Sequence, residues 1–220
     1  MLGVSTIGAT IVGVMLGIWG AWRRGTLADT SSLGFSLVTY AMPEFWLGML
    51  LILLLSVTLK IFPTSFMSTP GAEGGFVARA SDTLNHLFLP ALTLVLALLG
   101  EYALIMRSSV IEVMNEEYVM TARAKGMREA IVLRKHVVPN ALLPVVTLAA
   151  LNLGFVVSGA ITVETVFSWP GLGSLTYQAI NSNDYPLLQG LFLLFSSTVI
   201  FANLAADLLI GVLDPRVGRA

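Results

Sequence analysis

The chain has 220 residues, of which 56% are hydrophobic and 11% charged, and its formal net charge is −1. A soluble domain carries about 25% charged residues, so this composition excludes a soluble fold and predicts a protein that faces lipid. The charge balance leaves no basic surface for nucleic acid. The chain has no cysteine, which excludes disulfides, thiolate metal sites and a cysteine nucleophile. We expect no metal and no cofactor, because His86 and His136 have no second ligand at a metal-binding spacing.

Five apolar stretches are long enough to cross a bilayer, which takes about 20 residues of helix. They cover residues 3–22, 35–59, 87–106, 141–163 and 187–213. The predicted fold class is an all-α integral membrane protein with about five transmembrane helices. Residues 1–220 are expected to form one transmembrane domain.

Basic residues predict the orientation, because short loops rich in Lys and Arg stay in the cytoplasm. Ten of the twelve follow the first, third and fifth spans: Arg23, Arg24, Arg107, Arg123, Lys125, Arg128, Arg134, Lys135, Arg216 and Arg219. Only Lys60 and Arg79 follow the second span. We therefore expect a multi-pass protein of the cytoplasmic membrane with its C-terminus inside and Met1 outside. The first span lacks the basic start of a signal peptide, and this predicts a further span upstream.

The first span carries a small residue at every fourth position, namely Ala9, Gly13, Gly17 and Ala21. Such a stripe lets another helix approach closely. We expect the partner to be a helix of the same chain, and a second membrane subunit is the alternative. The fourth span repeats the pattern at Ala150, Gly154, Ser158 and Thr162.

Polar side chains inside spans are costly and often functional. Of these, Glu44, Glu101 and Asn152 are candidates for a solute pathway. Because Glu101 and Asp207 lie toward the cytoplasmic ends of their spans, an ion pair with Arg107 or Arg134 is the favoured role for both. Glu44 directly follows a proline and is also placed to begin a helix, where negative charge suits the helix dipole.

The two outer loops differ in composition. Residues 60–86 are rich in Pro, Gly, Ser and Thr and predict an irregular segment. Residues 164–186 predict a turn followed by a short helix, with Trp169 and Tyr185 at the level of the lipid headgroups.

The cytoplasmic loop 107–139 has helix boundaries of its own. Asn115 is a predicted N-cap, acidic residues follow it, Lys125 falls in the last turn and Gly126 lies just beyond, which predicts a short helix of about ten residues. A second helix is expected over 127–138, ending at Pro139. Two helices that meet at a glycine form a rigid projection able to transmit force. A solvated basic loop is the alternative, but it leaves these boundaries unexplained.

Residues 118–126 read YVMTARAKG, and residues 140–144, after Pro139, read NALLP. These segments resemble the EAA loop of type I ABC importer permeases, and their sequence is most similar to that of the oligopeptide and dipeptide branch. Four more segments agree with that branch: PEFWLG at 43–48, ETVFSWPGLG at 164–173, DYP at 184–186 and DPR at 214–216. The resemblance covers essentially the whole chain. It departs from the general EAA motif at Met120, where that motif has Glu, and at Thr121, where it has Ala.

The resemblance implies a coupling helix that docks on cytoplasmic ATPase subunits. The residues it assigns to this contact are Tyr118, Thr121, Ala122, Lys125, Gly126, Met127 and Pro139. It also implies a second homologous permease subunit and an extracytoplasmic solute-binding protein as partners, and the chain itself is expected to lie in the lipid bilayer. The chain lacks the GxxxxGK[ST] phosphate loop, so it is expected to be a transport subunit and not an enzyme.

Two other functions stay open at this stage. A secondary transporter driven by an ion gradient predicts inverted repeats, and the two halves of the sequence show none. A membrane scaffold without transport activity is the other alternative. Peptides, nickel and other small solutes all remain possible cargo.

Overall fold

The computed structural model describes residues 1–71, 75–155 and 160–213, and these residues form helices and connecting segments without strands. The helices are α1 Leu2–Trp22, α2 Leu27–Ala41, α3 Glu44–Leu51, α4 Phe76–Val113, α5 Glu117–Ala124, α6 Glu129–Val132, α7 Val138–Ala141, α8 Leu143–Phe155, α9 Ile161–Val166, α10 Leu172–Asn181 and α11 Tyr185–Leu213. Two π-helical segments, Ile52–Thr58 and Leu133–Val137, follow α3 and α6.

Among the described residues, three helices are each long and apolar enough to cross a membrane, namely α1, α4 and the Tyr185–Ala205 part of α11. The number rises to five if each of two bent helix pairs counts as one span, which agrees with the expected all-α membrane fold. With 38 residues, α4 is about 57 Å long. The hydrocarbon core is about 30 Å thick, so α4 is longer than one crossing requires. The helix begins before the predicted span 87–106 and ends after it. The prediction of irregular chain was therefore wrong for 76–86, and residues 107–113 are helix as well.

The predicted span 35–59 is not one helix. Helix α2 ends at Ala41, and Pro43 has the extended conformation (φ −61°, ψ 133°) and caps α3. Proline has no amide hydrogen and disfavours helix in the residue before it, which explains the break. Within the predicted span 141–163, α8 covers Leu143–Phe155, and the non-helical Ala160 (φ −108°, ψ 80°) precedes α9.

The described residues cluster into two compact units. The first unit contains residues 1–6, 42–97 and 152–203. Its buried core consists of Leu89, Leu94, Val163, Phe167 and Trp169. Trp169 is only 8% exposed, because it packs in this core and its amide bonds to the Glu164 carbonyl at 2.8 Å. Trp169 thus packs in the core of this unit, whereas Tyr185 is 65% exposed. The expectation that both lie at the level of the lipid headgroups stays a prediction.

Of the described residues, the second unit contains 7–41, 98–151 and 204–213. Here the small-residue stripe of α1 lies against α4. A Cβ atom at Gly13 would lie 2.6 Å from Tyr102 Cβ, and one at Gly17 would lie 2.6 Å from the Ala103 carbonyl. Ala9 and Ala21 are also buried. The expected packing within one chain is therefore confirmed for α1. The matching stripe of the fourth span includes Ser158, which is outside the described residues.

Candidate functional site

The short cytoplasmic helix predicted in the loop 107–139 is α5, with eight residues. Glu116, in extended conformation (φ −69°, ψ 146°), is its N-cap, and Glu117 supplies negative charge in the first turn. The prediction of Asn115 as the N-cap was wrong. Asn115 instead donates from its side chain to the Ile111 carbonyl at 2.9 Å, so it closes the end of α4.

The end of α5 is a Schellman turn, in which two amides beyond the helix bond back to its last carbonyls. The Gly126 amide donates to the Arg123 carbonyl at 2.9 Å, and the Met127 amide donates to the Ala122 carbonyl at 3.4 Å. Gly126 has φ +76°, which favours glycine. No atom lies within 4 Å of a Cβ built there, so the requirement for glycine is conformational and not steric. The predicted helix end at Gly126 is confirmed.

The chain returns through a second helix that begins later than predicted, at Glu129 instead of Met127. It also runs through Pro139 to Ala141, where it bends by 42° into α8. The stretch before Pro139 is π-helical. Since Pro139 has no amide to donate to the Lys135 carbonyl, the ordinary helical hydrogen bond cannot form at this position. The π-helical register accommodates that missing bond.

The two sequence motifs meet at one backbone carbonyl. The His136 carbonyl accepts a hydrogen bond from Asn140 Nδ2 at 2.8 Å and lies 3.5 Å from the donating hydroxyl of Tyr118. Tyr118 belongs to the YVMTARAKG segment and Asn140 to NALLP. This contact joins α5 to the helix that leads into α8.

Arg123 fixes α5 to both of its neighbours. Its Nε and Nη2 donate to the two carboxylate oxygens of Glu129 at 2.9 and 3.3 Å, and Nη1 donates to the Met114 carbonyl at 3.3 Å. On the inner face of α5, Val119 and Ala122 are buried. Arg123 therefore connects α5 to α6 and to the residue that follows α4.

A hollow of about 320 Å³ lies beside α5. It is lined by Tyr118, Thr121, Ala122, Lys125, Met127 and His136. Five of the seven residues assigned to ATPase contact therefore surround one surface, and Gly126 forms the turn between Lys125 and Met127. Pro139 is not among the lining residues and lies in α7. His136 completes the lining, although the sequence analysis did not select it.

The three pathway candidates are each half-buried. Glu44 begins α3, as expected for a helix-start carboxylate, and accepts a hydrogen bond from Thr162 Oγ1 at 3.3 Å. Asn152 lies in α8 and belongs with Glu44 to the first unit, whereas Glu101 lies in the part of α4 assigned to the second unit.

The expected ion pair of Glu101 with Arg107 or Arg134 was wrong for the described residues. Arg107 instead binds Asp29, with Nε 2.7 Å from Oδ1. Glu101 forms no ion pair with any described side chain. The side chain of Asp207 is outside the described part of the chain. Asp29 was missed because its partner lies 78 positions away in the sequence.

Glu164 is a second polar residue whose role was missed. Its carboxylate is buried, only 4% exposed, and accepts hydrogen bonds from the Ala160 amide at 3.1 Å and the Ser174 amide at 2.8 Å. Gly171 packs directly on this carboxylate, and a Cβ atom at Gly173 would lie 3.0 Å from it. The signal was present in the ETVFSWPGLG segment, where two glycines follow the acid.

Comparison with known proteins agrees with this geometry. Residues 13–219 match the family model described as "Binding-protein-dependent transport system inner membrane component". The dipeptide transport system permease protein DppB of Escherichia coli K12 is 40% identical over 98% of this chain and 69% of its own length. The oligopeptide transport system permease protein AppB of Bacillus subtilis is 37% identical over 97% of this chain and 66% of its own length. A putative peptide permease of Brucella ovis is 42% identical over 95% and 64%.

Solved structures show the same fold. A chain of the inward-facing MetNI methionine ABC transporter superposes with a TM-score of 0.74, at 17% identity, over 97% of this chain and 91% of its own. A chain of an amino acid ABC transporter superposes with a TM-score of 0.61. The helical membrane fold is therefore that of ABC importer permeases, and the chain belongs to the family of inner membrane components of binding-protein-dependent transport systems.

Proposed function

We propose that this chain is a permease subunit of an ABC importer that moves peptides across the cytoplasmic membrane, coupled to separate ATPase subunits through α5. The observation that carries the proposal is the Schellman turn at Gly126, which ends α5. This turn lies in a chain whose residues 13–219 match the family model. The substrate class follows from relatives that are named for dipeptide and oligopeptide transport. The partners would be a second homologous permease, two ATPase subunits and an extracytoplasmic solute-binding protein. ATP hydrolysis would take place in the ATPase subunits and not in this chain.

The surface around α5 suits a docking contact. Thr121 and Lys125 are exposed beside a hollow with an apolar floor, and the Arg123 contacts prevent α5 from moving alone. A flexible loop would absorb a push from the ATPase subunits. A helix fixed to α4 and α6 would transmit it.

The solute pathway is proposed to include Glu44, Glu101 and Asn152. A carboxylate exposed to the pathway would favour the amino terminus or a basic side chain of a peptide. Uptake of a lysine-containing dipeptide should therefore fall more than uptake of a neutral one when Glu44→Gln is introduced. An equal change for both peptides would exclude Glu44 from this role.

Replacement of Gly126 tests the coupling role. In Gly126→Val, a β-branched residue must adopt φ +76°, which costs about 1–2 kcal/mol, so the turn that ends α5 should change shape. We expect uptake of a labelled dipeptide by the reconstituted importer to fall at least about tenfold while ATP hydrolysis continues. Insertion of the chain in the membrane should remain normal.

Gly71→Val is the matched control, because Gly71 has the same φ of +76° and no neighbour within 4 Å, but lies far from α5 in the sequence. That variant should keep the wild-type ratio of uptake to ATP hydrolysis. Normal uptake by Gly126→Val would remove the coupling role from α5. Uptake of a nickel chelate in place of the dipeptide would contradict the proposed substrate class.

A further inference from the structure

An ion pair between the buried Asp29 and the partly buried Arg107 joins two helices of the second unit. Arg107 Nε donates to Asp29 Oδ1 at 2.7 Å, and Nη2 donates to Oδ2 at 2.9 Å, which is the bidentate geometry of a strong pair. Asp29 is only 6% exposed. Its Oδ2 also accepts the Gly25 amide at 3.0 Å, and Gly25 has φ +80° in the turn that follows α1.

The same point is where the ends of three helices come into close contact. Gly17 of α1 packs against the backbone of Ala103 and Arg107 in α4, and Gly20 lies against Ser32 and Asp29 of α2. Asp29 therefore binds α4 through its side chain and the turn after α1 through the Gly25 amide. We name Asp29, Arg107 and Gly25 the clamp.

Helix α4 continues from the clamp to α5. Arg107 lies within α4, which ends at Val113, and the following Met114 carbonyl accepts Arg123 of α5 at 3.3 Å. Asn115 closes the last turn of α4 through the Ile111 carbonyl. A displacement of α5 is thus passed to α4 by hydrogen bonds, and from α4 to α1 and α2 by the clamp.

We propose that Asp29 and Arg107 are positioning residues for transport, which make α1, α2 and this part of α4 move together with α5. The inference rests on the proposed function, because it assumes that ATPase subunits push on α5. Because the Asp29 carboxylate is buried, salt screens this contact less than it would screen a fully exposed pair.

The test uses the complete importer in proteoliposomes, with ATP hydrolysis and labelled dipeptide uptake measured on the same sample. Asp29→Asn keeps the shape of the side chain but removes the charge that holds Arg107. We expect the number of ATP molecules hydrolysed per dipeptide to rise at least about fivefold, the lower end of typical coupling effects. Asp82→Asn is the control, because Asp82 also accepts two short hydrogen bonds, both 2.7 Å from Thr69, but lies in the first unit.

A role in stability alone would lower the amount of inserted protein and leave the ratio per inserted transporter unchanged. The double variant Asp29→Asn with Arg107→Gln removes the uncompensated arginine charge and should insert even if the single variant does not. Its ratio should also rise, whereas Asp29→Glu should restore part of the coupling. An unchanged ratio in either inserted neutral variant would overturn the clamp. If the wild type shows no ATP-dependent uptake, the proposed function itself fails instead.

Discussion

Glycine at particular positions, and not glycine content, sets the helix packing in the second unit. Gly17 is buried, and a Cβ atom there would lie 2.6 Å from the Ala103 carbonyl and 2.7 Å from Met106 Cβ. Gly34 in α2 is exposed and has no neighbour within 4 Å of the same built atom. The two residues are both helical glycines and differ in what a methyl group would meet.

Alanine at these positions should therefore have opposite effects. Gly17→Ala should destabilise the protein by about 1–3 kcal/mol, because the contact is with rigid backbone that cannot move aside. Gly34→Ala should be neutral or stabilise by up to about 1 kcal/mol, because alanine is the better helix former. Thermal unfolding in detergent measures both. A similar shift in the two variants would contradict the packing of α1 on α4.

At the scale of single residues, the sequence predicted features that depend on nearby positions, but it did not predict which side chains form ion pairs. The small-residue stripe of α1 and the helix end at Gly126 depend on spacing within a few residues, and both are found. The expected pair of Glu101 with Arg107 was wrong for a geometric reason: residues six apart lie on different faces of a helix, since facing pairs are three or four apart. The true partner, Asp29, depends on how α2 meets α4, which no local spacing contains.

At the scale of elements, α10 shows how a helix can be capped from elsewhere. Its N-terminal amide at Ser174 is bound by Glu164, ten residues earlier, and the same carboxylate holds the Ala160 amide that precedes α9. The Gly171 amide is bound instead by Ser174 Oγ at 3.0 Å. One buried carboxylate therefore sets the start of two helices.

Glu164→Gln tests this role. The amide side chain can accept one of the two backbone hydrogen bonds but presents a donor to the other, so about 1.5–3 kcal/mol of stability should be lost. Limited proteolysis of 160–184 and thermal unfolding should both report the change. Glu112→Gln is the control, because Glu112 is exposed, and its effect should stay within about 0.5 kcal/mol. Equal behaviour of the two variants would mean that the buried carboxylate is not needed.

Element boundaries were harder to predict than element existence. Hydropathy detects only the apolar middle of α4, because residues 76–86 and 107–113 are polar enough to resemble loops while remaining helical. The break at Pro43 falls inside an apolar run. The length of that run predicts one continuous helix, whereas the proline predicts a helix boundary. In this case the backbone chemistry of proline determined the structure.

At the scale of the whole molecule, the orientation in the membrane is a consequence of where basic residues lie. We propose that α5 is cytoplasmic and that Ser81, at the other end of α4, is outside, as the distribution of Lys and Arg indicates. The chain has no cysteine, so single cysteines can be introduced without background. Arg128 and Ser81 are both exposed and suit this purpose.

In intact cells, a membrane-impermeant thiol reagent should label Ser81→Cys at once and Arg128→Cys only after the membrane is permeabilised. The two variants serve as controls for each other, because each reports on one side. Labelling of Arg128→Cys in intact cells would reverse the proposed orientation and remove α5 from reach of cytoplasmic subunits.

The fold class and the family were the features that the sequence predicted best. Apolar composition and the order of several motifs along the chain are properties of the whole sequence, and both agree with the family match. The division into two units was not predictable, because it passes through the middle of α4 and depends on which contacts form around it.

The two motifs of the loop 107–139 and its continuation meet at the His136 carbonyl. Tyr118 and Asn140 are 22 positions apart and look like independent signatures, but both direct a donor to the same oxygen. The two positions therefore contribute to one contact, although they lie in separate sequence motifs. A change at either position therefore leaves the His136 carbonyl with one side-chain donor instead of two.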